Sequence, residues 1–183
     1  MSKGFTLIEL LIVIAILAIL ATVIVLVLNP AQLLQETRDS QRFSDLATIR
    51  DAIGLYLAAG NTDMDAALTC GTNCWTNVDM TGTCNGRYTG ETVETVVGRA
   101  VDNTGWVPIN FGLVSGGSPF GALPVDPTNL AANNLVYSYA CSGTTYELNA
   151  NLESTRYLTT EDKDGTDGGN QAAAYEVGSS LTI

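Results

Sequence analysis

Between Gly4 and Leu28 the chain reads GFTLIELLIVIAILAILATVIVLVL, and Glu9 is its only charge. About 20 consecutive apolar residues suffice to cross the hydrocarbon of a bilayer as a helix. A lone segment in lipid must also satisfy its own backbone, which leaves helix as the available structure. Whatever follows must therefore fold while tethered at one end. Lys3 precedes the run, so the positive-inside tendency keeps the N-terminus cytoplasmic and exports the rest. Arg38 and Arg42 on the far side weigh slightly against that orientation, and the acidic bulk of the chain follows them. A cleaved secretory signal has an apolar core of about 7–15 residues ending in small residues. This run is much longer and continues past Asn29-Pro30 into further helix-like sequence, so retention is expected.

From Ala31 to Ala59 there is no glycine until Gly54. Phe43, Leu46, Ile49, Ile53, Tyr56 and Leu57 recur at steps of three and four, the pattern of an amphipathic helix with one packed face. Arg38, Asp39, Arg42, Asp45, Arg50 and Asp51 are assigned to the other positions, with opposite charges often three or four apart. Gly60-Asn61 is a helix stop, and Pro30 is a potential kink because it removes one hydrogen bond. Residues 5–59 are read as one long helix, roughly 80 Å at 1.5 Å per residue. Its halves, 5–29 and 30–60, belong to membrane and to protein respectively.

Beyond residue 61 the composition turns to Gly, Asn, Thr and Ser, and short alternations replace helical periodicity. Leu135, Tyr137, Tyr139 and Cys141 alternate, as do Tyr146, Leu148 and Ala150, with Ser142-Gly143-Thr144 between them. That is a β-hairpin signature. Thr92–Val97, Trp106–Phe111 and Tyr175–Val177 are further expected strands. The reading is α+β: a long N-terminal helix whose amphipathic half covers a small antiparallel sheet in a head spanning 61–183.

Composition removes most chemistries. The 183 residues contain no histidine, which excludes Ser-His-Asp and Cys-His catalysis and His-ligated metals. Enzymatic function is not expected, and the nearby carboxylates Glu91 and Glu94 are read as a solvated face. The formal net charge is -11, and from residue 61 onward four basic residues stand against fourteen acidic ones. Nucleic acid is therefore not an expected partner.

Lys3-Gly4-Phe5-Thr6-Leu7-Ile8-Glu9-Leu10 resembles the processing motif of type IV prepilins and type II secretion pseudopilins. A basic residue, a glycine before the cut, Phe after it, and Glu four residues later all stand in register at the head of a long apolar helix. The resemblance implies a leader of residues 1–4, cleavage between Gly4 and Phe5 by prepilin peptidase, and methylation of the new Phe5 amine. It also implies assembly into a helical filament with identical or related subunits on an inner-membrane platform. Glu9 stands out on physical grounds as well. A carboxylate inside hydrocarbon costs at least ~2.5 kcal/mol, and its own helix offers no basic partner once Lys3 has left. The Phe5 amine of a neighbouring subunit is the expected counter-ion, the same pairing that the resemblance implies. A heterologous contact of this kind does not close on itself and generates a filament. Ala15, Ala18, Ala21 and Thr22 allow close helix packing within it.

The cysteines Cys70, Cys74, Cys84 and Cys141 all fall in the exported part, where an even count predicts two disulfides of undetermined connectivity. A four-thiolate zinc site is the weaker alternative, because Cys70 and Cys74 have no second close pair. Glu161-Asp162-Lys163-Asp164-Gly165-Thr166-Asp167-Gly168-Gly169 is a second dense spot. Asp162, Asp164 and Asp167 are candidate calcium ligands, although the spacing is not that of an EF-hand. The loop, like Leu123-Pro124-Val125-Asp126-Pro127, looks like the corresponding part of major pseudopilins. No cofactor is required beyond that candidate calcium.

The expected function is a structural subunit of a type IV pilus or pilus-like filament. A type II secretion pseudopilin is the alternative, and a minor pilin acting as adhesin or DNA-uptake module is a reading of a different class. The expected location is a single-pass inner membrane, with contact to lipid until assembly, then an extracellular pilus or a periplasmic pseudopilus.

Overall fold

The computed structural model describes residues 4–65, 70–80, 84, 87–88 and 91–183. Residues 1–3 of the expected leader, Lys3 included, and parts of the 61–90 stretch fall outside it.

The first helix, α1, spans Leu7–Leu28. Its 22 residues measure about 33 Å at 1.5 Å per residue, close to the thickness of bilayer hydrocarbon. Within it Leu7–Val25 is long and apolar enough to span, with a mean hydropathy of 3.1. Wherever the side chains of α1 are described, they are exposed.

The expected continuous helix over 5–59 is two helices. Asn29 sits at φ 39°, ψ 75° in the left-handed region, and α2 begins at Pro30 and runs to Ala58. Proline disfavours right-handed helix in the residue before it, so α1 stops at Leu28. Proline itself suits the first helical position, where its missing N–H is not needed. Asn is among the few non-glycine residues that visit the left-handed well routinely. At the other end, Gly60 takes φ 86° and its N–H reaches the Leu57 carbonyl at 2.9 Å, the glycine stop expected from sequence.

The buried stripe of α2 is Asp39, Arg42, Leu46, Ile49, Ala52, Ile53 and Tyr56. Asp39 and Arg42 thus lie on the packed face, not the solvated one. Counting steps of three and four back from Leu46 lands on them, whereas residue chemistry had placed them outside.

The head is a five-stranded sheet in the order β2-β1-β3-β4-β5. The strands are β1 Asn73–Thr76, β2 Thr92–Thr95, β3 Ser138–Ser142, β4 Thr145–Ala150 and β5 Tyr175–Gly178. All neighbours are antiparallel except β1 and β2, which run parallel. The anticipated hairpin is β3-β4, with Cys141 opposite Tyr146 and Gly143 at φ 61° in the turn. Trp106–Phe111 is not a strand. It bends, makes a single bridge from Asp102 to Asn110, and ends in a short helical turn at Phe111–Leu113. Pro108 removes a ladder donor there, and Trp106, Val107, Ile109 and Phe111 are all buried instead of alternating.

Alternation along the strands gives the sheet two buried faces. Tyr139, Cys141, Tyr146, Leu148, Ala150 and Val177 join the α2 stripe, Trp75 and Trp106 in one hydrophobic core. Cys74, Cys84, Tyr88 and Ala140 form a smaller cluster on the far side.

Candidate functional site: the head of the first helix

Thr6 caps α1 by a reciprocal pair of contacts. Its Oγ1 accepts the Glu9 N–H at 3.2 Å, while a Glu9 carboxylate oxygen accepts the Thr6 N–H and the Thr6 hydroxyl at 2.8 Å each. This capping box satisfies two N-terminal donors that the helix would otherwise leave open, and a negative charge in the first turn suits the helix dipole. Glu9 therefore has a partner on its own helix, neutral rather than basic. Sequence reasoning missed it, although Thr6-x-x-Glu9 before an apolar run is the signature of such a box. Gly4 and Phe5 lie just ahead of the cap; Phe5 is 79% exposed, and a Cβ at Gly4 would meet nothing within 4 Å. The Gly4–Phe5 junction is sterically open.

The remaining candidate residues sit in the head. The four cysteines pair as Cys70–Cys141 and Cys74–Cys84, 71 and 10 residues apart in sequence. The zinc alternative is thereby removed. Cys141 belongs to the helix-side core and the Cys74–Cys84 bond to the far side, so one bridge serves each face.

The acidic loop does not bring its three aspartates to one point. Asp167 accepts the backbone N–H groups of Gly169 at 2.8 Å and of Glu176 at 2.6 Å. Asp162 takes a left-handed backbone at φ 49°. Its carboxylate fills the space beside Gly165, where a Cβ would approach Asp162 Oδ1 at 2.6 Å. Asp164 is buried, and its Oδ1 has no partner among the described residues. The described acidic and sulfur atoms that do converge within 4.8 Å belong to Asp65, Cys70 and Cys141, and two of those are disulfide sulfurs.

A buried ion cluster ties α2 to the head. Arg42 grips Asp126 with two bonds, Nε to Oδ2 at 2.6 Å and Nη2 to Oδ1 at 2.9 Å. Its Nη1 donates to Asp39 at 2.7 Å and to Glu153 at 2.8 Å. Arg38 holds the same Glu153 from the outside, at 2.7 and 3.0 Å. Burial alone would lower the Arg42 pKa, but the bonds to Asp126, Glu153 and Asp39 raise it well above its ordinary value. The Leu123–Pro127 segment thus supplies Asp126 as a clamp on α2. Asp39 completes it by accepting the N–H groups of Glu153 and Ser154.

On the far face Glu147 and Glu176 are buried side by side on neighbouring strands. Burial and the adjacent carboxyl push Glu147 up to about 8, and burial raises Glu176 as well. Glu91 is also buried, not solvated as expected, and burial pushes it up to about 7. Glu94 is exposed, as expected.

Fold and site together define a class: an α+β protein whose exposed N-terminal helix is long and apolar enough to cross a membrane and begins with a capped carboxylate behind an open Gly-Phe junction. Residues 1–25 match the family model for the prokaryotic N-terminal methylation motif, the processing signal of type IV prepilins and pseudopilins. The match supports a protein of the type IV pilin or pseudopilin family and implies processing by prepilin peptidase and assembly with other pilin subunits. No curated protein and no solved structure matches the chain.

Proposed function

We propose that the chain is a structural subunit of a type IV pilus or pilus-like filament, cut between Gly4 and Phe5 and polymerised through α1. The observation that carries the reading is the whole length of α1. It is apolar but for Glu9, its described side chains are all exposed, and it begins at the motif that marks a processed end. In the membrane, lipid covers that surface; outside it, neighbouring copies of α1 must. On withdrawal from lipid Glu9 meets the Phe5 amine of the next subunit, and a charge-assisted bond replaces its neutral contacts with Thr6.

Substituting Gly4→Leu should leave uncut precursor in the membrane. Glu9→Val should be inserted and cut normally, yet yield few filaments when expressed without other subunits. Wild-type filament yield from Glu9→Val would overturn the assembly role.

A type II secretion pseudopilin is the second reading, favoured by the acidic loop. There the proposal is a calcium ion on Asp164 and Asp162, supported by the unpartnered Asp164 oxygen and by the preference of calcium for carboxylate ligands. Asp167 would join only by leaving its two backbone donors.

A further inference from the structure

We propose that Arg87 closes a binding pocket for a small oxyanion, a carboxylate or sulfate-like group, between the far face of the sheet and the segment 171–174. The pocket is a cavity of about 70 Å³ lined by Arg87, Asn134, Asn151, Gln171, Ala173 and Ala174. Ala173 is exposed, so the cavity opens to solvent. Among the described residues no aspartate or glutamate lines it.

Arg87 is only 4% exposed, and every acceptor it has among the described residues is neutral. Nη1 donates to the Val136 carbonyl and to Ser138 Oγ, each at 2.8 Å. Nη2 donates to Asn151 Oδ1 at 2.8 Å and to the Asn134 carbonyl. Nε–H has no acceptor among the described residues. No carboxylate among them lies within ion-pair distance of Arg87, in a chain whose formal net charge is -11. Asp126, whose field reaches it, is already held by two bonds to Arg42.

Burying a cation without a counter-charge is costly. Its signature is present: burial brings the Arg87 pKa down to about 10, while Arg42 with its three carboxylates moves the other way. At neutral pH the guanidinium is still charged, so the deficit persists. The surroundings favour an acceptor-rich guest. Asn151 gives its oxygen to Arg87, which leaves its NH₂ group as a donor. A cavity of about 70 Å³ takes a few waters or one small oxyanion. Water would satisfy Nε–H but not the charge.

The test uses the full chain in a non-ionic detergent, with acetate and sulfate each titrated against chloride at matched ionic strength. Saturable binding should raise Tm by about 4 °C at a tenfold excess over Kd, and the Arg87 Nε–Hε resonance should move with the same midpoint. A response to acetate identifies a carboxylate guest, and a response to sulfate an inorganic oxyanion. Ala173→Asp should raise Tm in oxyanion-free buffer by supplying a fixed counter-charge, and should abolish the saturable response. This variant leaves the Arg87 hydrogen bonds intact, so misfolding does not confuse the outcome. A stationary Nε–Hε signal, with a linear salt response identical in wild type and Ala173→Asp, would overturn the proposal and leave a water-filled cavity.

Discussion

The two faces of the sheet are held by opposite means. Toward α2 the core is aromatic and aliphatic, and where charge is buried there Arg42 meets Asp126, Asp39 and Glu153 at 2.6–2.8 Å. On the far face Ser138, Glu147, Asn149 and Glu176 are buried from the strands themselves. Two carboxyls there adjoin one another and Arg87 has no anionic partner among the described residues, while the short-span Cys74–Cys84 disulfide lies on this side. The difference follows from what does the covering. A helix delivers a continuous stripe, so one face is stabilised by apolar burial and a clamp that fixes its register. Loops deliver no stripe, and that face relies on a covalent link and on backbone donors to its polar groups.

The comparison is broken most severely at the clamp. Arg42→Ala leaves three carboxylates facing one another out of water, at a cost of about 3–5 kcal/mol. We expect Tm of the full chain in detergent to fall by roughly 10 °C, and a fall under about 2 °C would show that the clamp contributes nothing to stability. The disulfides come next. Loop-closure entropy assigns about 4 kcal/mol to the 71-residue span of Cys70–Cys141 and about 3 kcal/mol to the 10-residue span of Cys74–Cys84. Double alanine variants should lose stability in that order. The reverse order would mean that the far face depends on its bridge beyond chain entropy.

The pH dependence sharpens the contrast. Burial raises Glu147 to about 8, so the fold favours its neutral form. That stability is complete below the unfolded pKa and is lost as pH rises through about 8. Glu153 runs the other way: burial would raise it, but Arg38 and Arg42 hold it below its usual value. Its contribution is lost as pH falls through its folded pKa. Tm should therefore peak near pH 5 and decline toward about 8, and Glu147→Gln should flatten the decline. A Tm that rises between pH 5 and 8 would contradict the assignment.

The smallest expected effect is that of calcium. With Asp167 occupied by backbone donors, millimolar calcium over chelator should shift Tm by only about 2 °C, and Asp164→Ala should remove the shift. No shift at all would leave the loop as a solvated turn.

How much of this was legible depended on periodicity. The α2 stripe from Leu46 to Tyr56 and the β3-β4 hairpin follow from spacing, because a helix and a one-sided strand print their geometry on residue type. Asp39 and Arg42 occupy the same stripe but were hidden by their charge. They bond each other, and Asp126 and Glu153, 84 and 111 residues from Arg42, complete the set of partners that makes their burial tolerable. The four-residue strands β1 and β2 carry too few alternations to declare a parallel pairing. The cysteine count predicted two bridges, but their partners depend on sheet order. At the candidate site the motif was complete in sequence, and what it lacked was the role of Thr6.

One residue, Asn29, separates the apolar helix from the amphipathic one that packs on the head. The break falls at the end of a 22-residue helix whose length matches the hydrocarbon, so a bilayer crossed by α1 would end close to this joint. The 29 residues of α2 form a rigid arm of about 43 Å. A change of 10° at the joint swings the far end of that arm by about 7–8 Å. The orientation of the head, and hence which surface faces a neighbour, is geared to the backbone angles of this one asparagine.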